Sequence, residues 1–179
     1  MKVIYLFLWL VAAPGLAAEV PDVINDKQIR QQLNNYLWTA ARAGDTYMIE
    51  SFISAGYNLD VQDESGYTAV ILAAYNGHST ALEKLLNGGA DPCLRDRRGN
   101  TALMGAIFKG ELKIASRLIA SKCNPGLRNN AGQSAAMYAA LFQRHAVLEQ
   151  LRAKGADMNA TDDKGNDVAA LKRGEINGH

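Results

Sequence analysis

The sequence predicts an all-α solenoid of helix-turn-helix-hairpin units repeating every 33 residues. Three observations carry that reading. Gly66, Gly99, Gly132 and Gly165 follow one another at steps of 33. Further columns keep the same step: Ala40, Ala73, Ala106 and Ala139; Gly44, Gly77 and Gly110; and Asp63, Asp96, Asn129 and Asp162, each three residues before a glycine. Finally, 28 Ala and 16 Gly stand among 179 residues, the small side chains that close backbone packing and tight turns need. A fixed period of this length marks a stack of supersecondary units, because one unit cannot bury its apolar stripe alone.

Composition narrows the function classes. The chain is 48% hydrophobic, too apolar for a disordered protein. With 19 Lys+Arg against 18 Asp+Glu it has no global basic field for nucleic acid or an anionic membrane. Two cysteines are too few for a disulfide-rich scaffold or a Cys-based zinc module.

Residues 1–18 read as a secretory signal peptide. Lys2 is the charged start, Val3–Ala13 the apolar run, and Pro14-Gly15 the breaker; Leu16-Ala17-Ala18 offers cleavage after Ala17 or Ala18. The run is shorter than the about 20 residues a spanning helix needs, so no membrane attachment is expected after cleavage. Without Lys2 the basic and acidic side chains number 18 each, and the mature chain is neutral. Export, most simply to the periplasm, also exposes the cysteines to oxidation and removes most soluble cofactors.

Residues 19–33 are expected to form an N-terminal capping helix starting behind Asp26, with Ile29, Leu33 and Leu37 at helical spacing. Residues 34–174 hold about four units and a terminal half-unit, Asp167–Arg173. Within a unit, Thr68, Thr101 and Ser134 suit the N-cap of a short first helix. Gly77 and Gly110 suit the turn between helices, and Leu82, Leu85 and Leu86 form the stripe of a second helix. The hydroxyls of Ser79 and Thr80 read as caps for that helix. Asn87-Gly88-Gly89 ends it, and Ala90-Asp91-Pro92 leads into a hairpin. Residues 175–179 are expected to fray.

A unit reading D-x-x-G-x-T-x-L-x-x-A-x-x-x-G, then a Leu-Leu pair and Gly-Ala-Asp, resembles the ankyrin repeat. The resemblance covers residues 30–174. It departs from the family at the usual T-P-L-H start, where Thr68-Ala69-Val70-Ile71, Thr101-Ala102-Leu103-Met104 and Ser134-Ala135-Ala136-Met137 stand instead. The run from Asp91 to Glu111 further resembles exported bacterial ankyrin proteins associated with catalases. That resemblance implies support of a periplasmic catalase and of peroxide resistance, with the catalase as partner.

The resemblance places the end of each first helix on a concave groove. Arg42, Tyr75, Phe108 and Leu141 hold that position at steps of 33, flanked by Tyr67, Lys109 and Phe142. Apolar and aromatic residues in an exposed column suggest a partner-binding stripe; alternatively the rings only shield neighbouring alanines. The hairpin finger Leu94–Asn100 adds Arg95, Arg97 and Arg98, which with Arg128 make a local basic spot suited to carboxylates, or merely solvated loop charge. Cys93 and Cys123 fall at neighbouring repeat positions. They either form a disulfide across one interface or leave Cys123 as a thiol in the small column of Ala90.

Chemistry is hard to place on this chain. His78 and His145 lie about two units apart, too far to share a metal, and His179 is terminal. Neither a zinc-protease motif, a nucleophile elbow nor a phosphate loop occurs. The expectation is therefore no catalytic residue, no metal and no cofactor. The chain reads as a monomeric protein-binding module, with an immunity protein against a secreted toxin or hydrolase, or a host-directed effector, as alternatives.

Overall fold

The computed structural model describes residues 25–177. The expected signal peptide, 1–18, lies outside them. Nine helices occur among the described residues: α1 (Asp26–Ala43), α2 (Thr46–Ser54), α3 (Ala69–Tyr75), α4 (Ser79–Asn87), α5 (Ala102–Lys109), α6 (Leu112–Ile119), α7 (Ala135–Leu141), α8 (His145–Ala153) and α9 (Val168–Arg173). They stack in two layers. The inner row runs α1, α3, α5, α7, α9 and the outer row α2, α4, α6, α8, each helix packed on the next of its row.

The sequence explains the inner row. The side chains of Thr68, Thr101 and Ser134 accept from the backbone N–H of Ile71, Met104 and Met137 at 3.2, 3.3 and 3.3 Å, fixing where each helix begins. Ala73, Ala106 and Ala139 are wholly buried, so neighbouring helices approach almost backbone to backbone. Met104 and Met137 fill the column where the family usually carries His, and both are buried. In the outer row Leu82 and Leu85 are buried and Leu86 is half-buried against the same core. The core is therefore one continuous seam between the two layers.

The hairpins form a third row. Arg97 N–H donates to Ser65 O at 2.9 Å, Asn130 N–H to Arg98 O at 2.9 Å, and Asp163 N–H to Ala131 O at 3.1 Å. Gly66 and Gly99 make this seating possible. Both have positive φ, and a Cβ on Gly66 would stand 2.7 Å from Arg97 N, one on Gly99 2.8 Å from Asn130 N. Asp63, Asp96, Asn129 and Asp162 tie each finger to itself, accepting from the N–H groups two and four residues on.

Four expectations need correction. The boundary at residue 33 falls inside α1, which is one uninterrupted helix of 18 residues. No Gly or Pro occurs between 26 and 43, and the apolar spacing runs on from Leu33 to Leu37 and Ala40, so nothing ends the capping turns before the first unit begins. Its N-cap is Asn25, which exchanges hydrogen bonds with Gln28 in a capping box, and not Asp26. In α4 the N-cap residue is His78, without a side-chain cap; its Nε2 instead hydrogen-bonds the carbonyl of Arg42 in the preceding unit at 2.8 Å. The described part of the tail is tied down. Glu175 N–H donates to Ala170 O, and Asn177 N–H donates to the side chain of buried Asn166 at 2.7 Å.

Candidate functional site

The ends of the inner helices and the bases of the fingers enclose a concave groove of about 540 Å³. Its wall is apolar, with Ile71, Leu72 and Met104 behind Tyr67, Tyr75, Phe108 and Tyr138. Tyr75 and Phe108 remain 41% and 46% exposed, unusual for rings that pack on one another. Their centroids are 6.2 Å apart and nearly parallel, and Phe108 meets Phe142 edge-on at 5.2 Å. The Tyr75 ring lies over Gly105 of the next helix, where an added Cβ would make ordinary contact with it at 3.6 Å. Lys109 Nζ sits 5.0 Å from the Tyr75 centroid, a cation–π contact at the rim.

The residues expected to form a stripe are divided by the structure. Arg42, Tyr75 and Phe108 line the groove, but Leu141 is half-buried against the core and does not. Helix α7 ends at Leu141, and the next residue, the half-buried C-cap Phe142, continues the aromatic row. Tyr67 is half-buried and forms part of the wall.

The four arginines of the basic spot divide. Arg98 lines the groove, and no carboxylate among the described residues lies within ion-pairing distance of it. Arg97 lines a separate open depression with Lys27, Arg30 and Trp38. Arg95 is a structural residue. Its guanidinium donates to Arg128 O at 3.1 Å, as Arg128 donates to Thr161 O at 2.7 Å and Gln62 to Arg95 O at 2.9 Å. These side chains form a ladder in which each binds the backbone one unit on.

Sequence reasoning missed the polar floor. Tyr138 OH donates to Asn100 Oδ1 at 3.1 Å, and Asn129 Nδ2 donates to the same oxygen at 2.9 Å. Burial pushes the Tyr138 phenol up; the hydrogen bond from Asn129 opposes this and the nearby Asp96 carboxylate adds to it. Tyr138 shares its column with Leu72 and Gly105, so no repeated residue type marked it. At the groove's end, Arg42 Nη2 pairs with Asp63 Oδ2 at 2.8 Å.

Cys93 and Cys123 are joined in a disulfide with Cα atoms 5.4 Å apart. It links the hairpin after the second unit to the end of the third, the units that supply Tyr75 and Phe108. Among the described residues no group of His, Cys, Asp or Glu is placed to hold a metal, and no helix is long and apolar enough to cross a membrane.

The sequence profile described as ankyrin repeats (3 copies) matches residues 18–96, 37–129 and 72–162. The chain belongs to the ankyrin-repeat family. It is a protein–protein interaction module by class, and proteins of this class are generally non-enzymatic. A search of curated proteins found no match.

Proposed function

We propose that this chain is an exported, non-catalytic binding protein that acts as a monomer in the periplasm and engages a partner protein through its concave groove. The observation that carries the groove is the pair of exposed, stacked rings Tyr75 and Phe108, backed edge-on by half-buried Phe142, at the ends of the inner helices. A pre-ordered surface of this kind binds without the entropy cost of ordering a loop. Export rests on the layout of residues 1–18, and the disulfide fits an oxidising compartment.

The partner we propose is a periplasmic catalase, whose activity the chain supports under peroxide stress. The support for this is the resemblance of residues 91–111 to exported ankyrin proteins associated with catalases. Those residues form the finger and helix that bring Arg98 and Phe108 to the groove. The test is a pull-down from periplasmic extract, together with catalase activity and peroxide survival in a deletion strain. Recovery of a catalase that Phe108→Ala no longer captures, with lowered activity on deletion, is expected. Unchanged activity and survival overturn the catalase reading. Capture of a toxin or cell-wall hydrolase instead would make the chain an immunity protein, and recovery of the chain from culture medium alone would favour a host-directed role.

A further inference from the structure

We infer that the groove takes an extended segment of its partner in which an aliphatic or aromatic side chain lies next to a carboxylate. This rests on the groove reading above and adds the chemistry of the occupant.

The charge argument comes from how the fingers are built. Two carboxylates border the groove, and both are already engaged. Asp63 accepts from the N–H groups of Ser65 and Tyr67 and from Arg42. Asp96 accepts from the N–H groups of Arg98 and Asn100 and from the Asn100 side chain. The cations are differently placed. Arg98 has no carboxylate within ion-pairing distance among the described residues, and Lys109 meets only the face of Tyr75. The lining's charges, Arg42 and Arg98 against Asp63 and Asp96, cancel, but the acceptors of both carboxylates are taken up while no hydrogen bond or ion pair among the described residues uses the Arg98 guanidinium. Arginine offers a planar fork that receives a carboxylate with two parallel hydrogen bonds.

The apolar half of the motif follows from the wall. Tyr75 and Phe108 expose their rings beside Met104, and Gly105 leaves the floor between the two helix ends without a side chain. One apolar side chain seated there excludes water from both rings and brings its neighbour toward Arg98. The volume, about 540 Å³, falls in the range of about 300–1,000 Å³ usual for sites that take a few chemical groups.

The test is selection of a random peptide library on the full oxidised chain. Affinities of the enriched peptides are then measured by fluorescence anisotropy on the wild type, Phe108→Ala, Arg98→Glu and Arg152→Glu. Arg152 lies on α8 outside the groove and controls for the change in net charge. The expected peptides pair Asp or Glu with an aliphatic or aromatic residue. They lose at least about tenfold affinity in Arg98→Glu and in Phe108→Ala, keep it in Arg152→Glu, and weaken as salt rises. Neutral or basic peptides that depend on Phe108 but not on Arg98 overturn the inference and leave the groove reading standing. Peptides indifferent to both substitutions, or no enrichment at all, overturn both. Circular dichroism of each variant confirms that it is folded.

Discussion

Asp60 and Cys93 stand 33 residues apart and fasten the same seam in successive units by different bonds. Asp60 Oδ1 accepts from the N–H of Asp91 at 2.8 Å, holding the first hairpin to the second. Cys93 is bonded to Cys123 and holds the second hairpin to the third. The residue equivalent to Asp91 in that third unit is Asn124, directly after Cys123.

Removing the covalent bond should cost more than removing the hydrogen bond. The disulfide closes a separation of 30 residues, for which the chain-entropy account gives about 3–4 kcal/mol. Urea unfolding of Cys93→Ser/Cys123→Ala should show a loss of that size. Cys93→Asp/Cys123→Ala should recover about 1 kcal/mol by rebuilding the Asp60-type bond to Asn124 N–H. Equal stability of the two double variants would refute the equivalence. Mass spectrometry after non-reducing alkylation reads the bond itself: two labelled thiols would refute it.

Two glycines with the same left-handed backbone should differ sharply in tolerance. Gly89 has φ 93° and nothing within 4 Å of an added Cβ, so Gly89→Ala should cost only the backbone term, about 1–2 kcal/mol. Gly99 has φ 79° and the backbone N of Asn130 only 2.8 Å from an added Cβ. Gly99→Ala must also unseat a hairpin and should cost more than about 3 kcal/mol. Thermal melts of the pair decide it; matching losses would mean that the hairpin contact does not constrain the fold.

Gln143 breaks the column that begins with Gly44, Gly77 and Gly110, and it keeps their conformation with φ 56°. A side chain there carries about 1–2 kcal/mol of left-handed strain. Its Nε2 donates to Lys172 O at 3.1 Å, an exposed contact that recovers a fraction of this. Gln143→Gly should therefore raise stability by about 0.5 kcal/mol once the unfolded-state entropy of glycine is subtracted. A lowered melting temperature would show that the contact with Lys172 dominates.

Acid should loosen the C-terminal half-unit first. Burial raises the Asp162 carboxyl, but hydrogen bonds from the side chain and backbone of Asn166 and the backbone of Lys164 outweigh it, and the net position is below the ordinary carboxylate range. A depressed folded value stabilises the fold above the unfolded value, about 3.9, and that contribution disappears as pH falls through the folded value. Asp162→Asn should fold at neutral pH, since Asn129 serves the same place one unit earlier. It should also flatten the acid limb of the stability profile. Amide hydrogen exchange near Asn166 and Val168 reports the change; an unchanged acid limb would rule Asp162 out as its source.

The spacing of Gly, Ala and Asp made the stack legible because each column answers a backbone need that recurs in every unit: a left-handed turn, a close helix contact, a finger tied by its own carboxylate. The groove was legible to the extent that its residues keep a column, as Tyr75 and Phe108 do. Leu141 and Phe142 could not be sorted by spacing, since the end of α7 decides which of the two turns outward. Nor could Arg95, Arg97 and Arg98. Along an extended finger successive side chains point to different sides, so one run of charge serves a ladder, an outer depression and the groove. Tyr138 and Asn100 gave no signal because their columns change residue type from unit to unit.

The ladder of Gln62, Arg95 and Arg128 has a consequence for how such a chain can grow. Each rung reaches a main-chain oxygen 33 residues on, and an oxygen of that kind exists whatever side chain occupies the position. A duplicated unit inserted in frame would meet the same donor on one side and offer the same acceptor on the other. This joint is indifferent to which copy it receives, so the gene can lengthen by whole units without redesigning the ladder.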